Sequence, residues 1–467
     1  MRRVFKGVSF AMIPTILTLA GPTMLEQLMQ TAVQYIDTAM VGSLGTSATA
    51  AVGSTTTVNW LFGSTVSAVA VGFLAFVTQS RGAGRPKDAN RAASQATLAV
   101  LLLGALFTLL PLSLSGLVPV WMQVDEPIRD ITSRYFFIIY TPMLFRVATI
   151  IYGTLLRSVG DTKTPMKIGI IVNVLNVLLN ASLIYEPVTL SVFGGSIRLP
   201  LAGLGVIGAG IATAISYAVG GVLITIAIFR NRDISPLGIS LRPDREILGA
   251  CLKVAAPNAL QRFGTCLGYV AFASMINSLG ETSTAAHTIA NTVESAFYIP
   301  GYGMQTATAT LCGEAYGARD REKIRTLSRT IIFLECAMMI VSGGLLFIFA
   351  PNMMRLFSSD PEVVRLGARV LRFVALSEPF YGISIVIEGM MHGMGKTVYS
   401  FVCNVTGMWL IRILGTFVCI SLLSLGLESA WGCMILHNIM LFVAYIIYYV
   451  RITKRDKFNL EIIEKKT

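Results

Sequence analysis

Residues 30–45, QTAVQYIDTAMVGSLG, hold a single carboxylate, Asp37, in an otherwise uncharged, largely apolar run. Removing an unpaired carboxylate from water is costly, so Asp37 must be paired, hydrated, neutralised by a proton or used to hold a cation. A second set of charged residues lies in similar surroundings. It comprises Glu26 and Arg262, Glu294, Glu335, Glu378 and Glu388, and the cations Arg146 and Arg412. Oppositely charged groups in such places tend to pair, which is the expectation for Glu26 with Arg262 as a structural or gating pair. Glu294, Glu335 and Glu378 are candidates for contact with a cationic substrate, and Arg146 and Arg412 are expected to sit in satisfied interhelical hydrogen bonds. His287 and His392 fall near helix ends, where hydrated side chains are the ordinary expectation. The chain carries no GxxxxGK[ST] phosphate loop, nucleophile motif or clustered metal ligands, so an ATP-driven pump and a membrane enzyme are both disfavoured.

The elements that hold these residues follow from composition. The chain has 467 residues, of which 54% are hydrophobic and only 13% charged, a balance suited to an exterior that faces lipid. Twelve stretches approach the ~20 apolar residues needed to cross a bilayer. They fall at about 12–40, 50–79, 92–119, 130–156, 164–186, 201–229, 247–279, 283–312, 327–350, 363–393, 398–423 and 429–450, and are called helices 1 to 12 below. The first is too long to be a cleaved leader, although MRRVFKG is basic. The net charge of +12 is distributed by loop rather than as a patch for nucleic acid. Segments 1–6, 81–91, 157–167, 230–253, 319–329, 396 and 451–466 hold 27 of the 37 basic residues, while the turns near 42–48, 280–282 and 424–428 hold none. The positive-inside rule then puts the basic set, and both termini, in the cytoplasm. The expected location is the plasma (inner) membrane. Seven cysteines stand singly in apolar runs and read as buried thiols.

A shift of 235 positions superposes the sequence partly on itself. Pro22 falls on Pro257, Met40 on Met275, Ser43-Leu44-Gly45 on Ser278-Leu279-Gly280, Gly82-Ala83 on Gly317-Ala318, and Gly160 on Gly395. An even number of helices per half gives a parallel repeat, a pattern associated with two lobes and alternating access to a site between or within them. The expected domains are an N-terminal lobe 1–229, a charged, Pro- and Gly-containing linker 230–246, and a C-terminal lobe 247–467. Pro22 and Pro257 are hinge candidates, since a mid-helix proline removes a backbone hydrogen bond and favours a kink.

With the helices in place, YIDTAMVGSLGTSATAAVG, GAGRPKDANRAA, RSVGDTKTPM and MINSLGETSTAAHTIA resemble, in order, the motifs of the MATE (multidrug and toxic compound extrusion) family. The resemblance implies an all-α membrane fold, V-shaped, with two six-helix lobes, and a cation-coupled exporter. It further implies that Asp37 belongs to a cation site whose partners come from helices 5 and 6. The matching positions are Asn176 and Asn180 in NVLNVLLNAS and Thr213 in GAGIATAIS. Amides and a hydroxyl supply oxygen ligands to a hard cation such as Na⁺, or hydrogen bonds to a protonated acid. Some relatives have a second aspartate where Asn180 stands, so this site has one formal negative charge. Other relatives use acids on helices 7 and 10. Helix 7 has none between Pro257 and Gly280, and neither Glu378 nor Glu388 falls on the family's position.

The sequence therefore reads as a secondary active exporter, not an enzyme, that moves small, cationic, amphipathic compounds against H⁺ or Na⁺. It needs no cofactor beyond the coupling ion, and a monomer in the lipid bilayer is the expected state. A lipid-linked precursor flippase and a narrow metabolite exporter are the alternatives.

Overall fold

The structure is a computed structural model that describes residues 8–122, 124–192, 195–199 and 201–454. The basic stretch through Lys6 and the basic tail beyond Lys454 lie outside the described residues. Helices 1 to 3 span Ile13–Gly42, Thr46–Gly82 and Pro86–Leu114. Helix 4 is broken into Glu126–Tyr140 and Met143–Ser158, which meet at 46°. Helices 5 and 6 span Lys163–Ile184 and Gly205–Arg230. Helices 7, 8 and 9 span Arg245–Asn277, Glu281–Gly317 and Arg321–Arg355. Helix 10 is again broken, into Pro361–Ala375 and Glu378–Gly393, at 55°. Helix 11 (Thr397–Leu422) contains a π-helical stretch over Gly407–Ile413, and helix 12 is Leu427–Lys454.

Seven of these are long and apolar enough to cross a membrane, or nine if each bent pair counts as one span. Helices 1, 7 and 8 are longer than a span requires, at 30, 33 and 37 residues, but do not meet that test of apolarity and charge. Large apolar side chains such as Leu102, Leu109, Val341 and Ile348 are more than half exposed, as a lipid-facing surface requires. In the connection after helix 5, Val188–Val192 pairs antiparallel with Gly195–Leu199.

The offset of 235 recurs in the folded chain. Thr46–Gly82 maps onto Glu281–Gly317, and both segments of helix 4 map onto both segments of helix 10, end for end. The turns agree too. Gly45 (φ 107°) matches Gly280 (φ 95°), where the left-handed backbone suits glycine, and Gly84 (φ 71°) matches Arg319 (φ 57°).

The chain forms two compact units. One gathers the chain up to Gln27, Leu74–Arg85 and everything from Gly249 onward; the other holds Leu28–Phe73 and Pro86–Leu248. The boundaries do not follow the two repeats, because one end each of helices 1 and 2 packs with the second repeat. Thr23 Oγ1 donates to the Gly303 carbonyl at 3.1 Å, and Gln79 Nε2 to the Gly393 carbonyl at 2.9 Å. A Cβ at Gly303 would lie 2.6 Å from Met24 N, so only glycine permits that approach. Ile16 and Ala20 join Met304, Leu327, Met390 and Tyr445 in one core. A second core collects Phe272, Leu346, Leu371 and Trp431. In the other unit the linker after Arg230 is tied to helix 3: Arg91 pairs with Asp244 at 2.5 Å and Gln95 donates to the Arg242 carbonyl at 2.9 Å.

Candidate functional site: an acid and two amides in the first repeat

Asp37, Asn176, Asn180 and Thr213 meet within one unit, from helices 1, 5 and 6. Asn176 and Asn180 share a helix face because they are one turn apart. Asn180, 1% exposed, donates from Nδ2 to Asp37 Oδ1 at 2.6 Å and to Asn176 Oδ1 at 3.2 Å. Asn176 Nδ2 reaches Thr213 Oγ1 at 3.4 Å. The opposite corner of the Asn176 amide stands 2.9 and 3.1 Å from the two Asp37 oxygens and 3.2 Å from Asn180 Nδ2.

The amides of Asn176 and Asn180 thus both lie within hydrogen-bond distance of Asp37, and with the Thr213 hydroxyl they supply oxygens for a hard cation or hydrogen bonds to a protonated acid. Asn180 Oδ1 is buried with no hydrogen-bond donor, which leaves one more oxygen free for a cation. The residues therefore fit a small hard cation or a proton. Among the described residues no group of three or more His, Cys, Asp or Glu side chains could hold a metal.

The repeat-related place in the second half is built differently. Phe272, 1% exposed, occupies the register position of Asp37, and the Arg412 guanidinium lies 4.3 Å from its ring centre and 4.9 Å from that of Tyr269. Where the first half offers cation ligands, the second supplies its own cation. Arg412 was expected in a satisfied hydrogen bond; aromatic faces flank it instead, and its Nε has no partner. Arg146 fits its expectation better, with Nη1 donating to Asn59 Oδ1 at 3.4 Å, and it also lies over the Tyr217 ring at 5.0 Å.

The other expected residues are scattered. Arg262 bonds along its own helix, donating from Nε to Asn258 Oδ1 at 3.2 Å, rather than to Glu26. Glu294 and Glu378 are buried in the second repeat. Pro22 and Pro257 both lie inside continuous helices. His392, expected at a hydrated surface, is 5% exposed with Nε2 4.0 Å from Glu388, because the end of helix 10 is packed within its unit. Sequence reasoning overlooked the network around Glu388. Its carboxylate accepts from Gln261 at 2.6 Å, Gln305 at 3.1 Å and Asn404 at 3.2 Å, and Asn404 also donates to Tyr445 OH at 2.6 Å. The available signal was three amides in the apolar runs of helices 7, 8 and 11.

The model of the MatE family matches residues 22–182 and 257–418, once in each repeat. The chain belongs to the MATE family. Its relatives include the probable multidrug resistance protein NorM of Thermotoga maritima, 26% identical over 421 residues that cover 90% of this chain and 88% of that one. The probable multidrug resistance protein YpnP of Bacillus subtilis is 24% identical, with 84% of each chain covered. Among solved structures, an outward-facing MATE-family multidrug resistance transporter superposes with a TM-score of 0.86 at 22% identity, covering 94% of this chain and 95% of that one. A MOP-superfamily transporter from Pyrococcus furiosus, described as having a binding pocket of reverse polarity, superposes with a TM-score of 0.85 at 22% identity, covering the same shares. The MATE chain is thus an all-α, multi-pass membrane transporter with a repeated six-helix plan.

Proposed function

We propose that this MATE-family transporter is a secondary active exporter of small, cationic, amphipathic compounds, driven by H⁺ or Na⁺ entering on the side opposite the basic loops. Asp37 is the coupling carboxylate. The observation that carries this reading is that Asp37 stands within hydrogen-bond distance of both amides, 2.6 Å from Asn180 Nδ2 and 2.9 and 3.1 Å from one corner of the Asn176 amide, a neutral polar shell suited to a carboxylate that exchanges a proton or cation. The basic loops face the cytoplasm, which puts the termini there too. The multidrug names of the relatives support a broad substrate range. A lipid-linked precursor flippase is less well supported, because the intramembrane charges are mixed in sign rather than uniformly cationic.

The test is ethidium efflux from cells that express native protein or Asp37→Asn at matched membrane levels. The variant is expected to fold and to lose export to the level of cells without the transporter. Native-level efflux by Asp37→Asn would remove the carboxylate from the mechanism.

A further inference from the structure

Arg355 closes helix 9, and Arg365, Arg369 and Arg372 follow on the first segment of helix 10. The basic loop 319–329 precedes the other end of helix 9, so these four arginines depart from the charge pattern that puts basic loops on one side. The spacing i, i+4 and i+7 sets Arg365, Arg369 and Arg372 on one face of their helix. Between that face and helix 9 lies an open cleft of about 830 Å³. All four arginines line it, and among the described residues no acid does. Phe347, Pro351, Phe373 and Leu376 supply apolar wall.

Arg372 reaches across the cleft: its Nε donates to the Phe347 carbonyl at 3.4 Å, and its guanidinium lies 5.8 Å from the centre of the Phe347 ring. Arg365 pairs with Glu362 at 2.7 Å and Arg369 with Glu428 at 3.0 Å. Both are solvent-exposed pairs of the kind that contributes little. A guanidinium has five N–H donors, so each of these arginines keeps donors for an anion. The surroundings are those of a lipid boundary, since Leu356, Phe357, Phe373 and Leu376 are all exposed beside the arginines.

The first repeat has the corresponding cleft without the charge. There Ser133, Arg134, Phe137 and Ile138 line an opening of about 350 Å³. They are the register positions of Ala368, Arg369, Arg372 and Phe373. The one arginine of that cleft, Arg134, pairs with Asp130 at 3.0 Å. Asp130 itself is the register position of Arg365, and Val120 that of Arg355. The cationic lining therefore belongs to the second repeat and is not a requirement of the shared fold.

We propose that the cleft between helices 9 and 10 binds an anionic phospholipid, with the phosphate on Arg369 and Arg372 and the acyl chains along Phe373 and Leu376, one turn further along the helix. Arginine suits this task because its planar fork meets two phosphate oxygens at once. The apolar wall separates a lipid from free phosphate, which has nothing to place there. A zwitterionic headgroup is disfavoured, because it would bring an ammonium group among four guanidiniums. Binding does not depend on the exporter reading; the leaflet, the one opposite the basic loops, rests on the orientation given above.

Native mass spectrometry of the full-length protein, titrated with dioleoylphosphatidylglycerol, tests the site, with dioleoylphosphatidylcholine as the zwitterionic comparison. Native protein is expected to bind the anionic lipid roughly tenfold more tightly, and Arg372→Gln to lose about that factor, as removal of a charge-assisted hydrogen bond does. Arg134→Gln, in the uncharged cleft of the first repeat, and Asp37→Asn are both expected to keep the native affinity. Should Arg372→Gln fail to fold, Arg369→Gln carries the same expectation. Equal affinity of native protein for the two lipids, or native affinity in the arginine variant, overturns the proposal. Inorganic phosphate at constant ionic strength is expected to leave the lipid bound; displacement by it would make this a site for a free anion and overturn the lipid assignment.

Discussion

At the scale of single residues, the first-repeat site is one formal charge surrounded by neutral groups. Site affinity for a hard cation rises with ligand charge, so Asn180→Asp is expected to tighten Na⁺ binding by roughly an order of magnitude. Thermal unfolding of purified protein across a Na⁺ titration reads this, and equal midpoints for the two proteins would contradict it. Asn180→Leu removes a 2.6 Å donor from a part-buried carboxylate. Its expected cost is about 2 kcal/mol of stability, the usual penalty for stranding a partly buried charged group. Asp37 was legible in sequence because a charge in an apolar run is conspicuous. Asn176, Asn180 and Thr213 were legible only through the family motif, since neutral amides carry no such signal. The Glu388 network stayed hidden for the same reason, as its donors are also amides.

At the scale of elements, the repeat register read from sequence extends to helix ends and turn geometry, down to the paired breaks in helices 4 and 10. The breaks were not read from the sequence, because hydropathy does not distinguish a bent span from a straight one; the signal available was a proline at each break, Pro142 and Pro379, where the second segment of each helix begins. Glycine spacing gives two opposed expectations here. Gly280, at φ 95°, is expected to lose about 1 kcal/mol on replacement by alanine, which rarely adopts that backbone. Gly249 lies inside helix 7 with no neighbour within 4 Å of an added Cβ, so Gly249→Ala is expected to gain about 0.5–1 kcal/mol. Thermal unfolding of both variants under one set of conditions checks the pair: an unchanged or higher midpoint for Gly280→Ala would show that the turn does not require glycine, and a lower one for Gly249→Ala that the added methyl is not accommodated.

At the scale of the whole molecule, the duplicated frame carries unlike chemistry in its two halves. The first half has a carboxylate dressed by amides. The second has a guanidinium over Phe272 in the matching place, and its buried acids elsewhere. Sequence comparison of the repeats reveals the loss of Asp37 at Phe272, but not that Arg412 fills the space, because the π-helical turn of helix 11 interrupts regular α-helical spacing there. Phe272→Asp is therefore not expected to create a second coupling site: the new carboxylate would pair with Arg412, and the ion dependence of export would stay native. Altered ion dependence in that variant would show that Arg412 does not command the site.

The central claim, that Asp37 couples ion entry to export, is tested most directly in proteoliposomes. Native protein and Asp37→Asn are reconstituted, and Na⁺ and pH gradients are imposed separately while ethidium movement is followed. Native protein is expected to be driven by at least one gradient, and Asp37→Asn by neither, although it still binds ethidium. Gradient-driven ethidium movement by Asp37→Asn at the native rate would contradict the account.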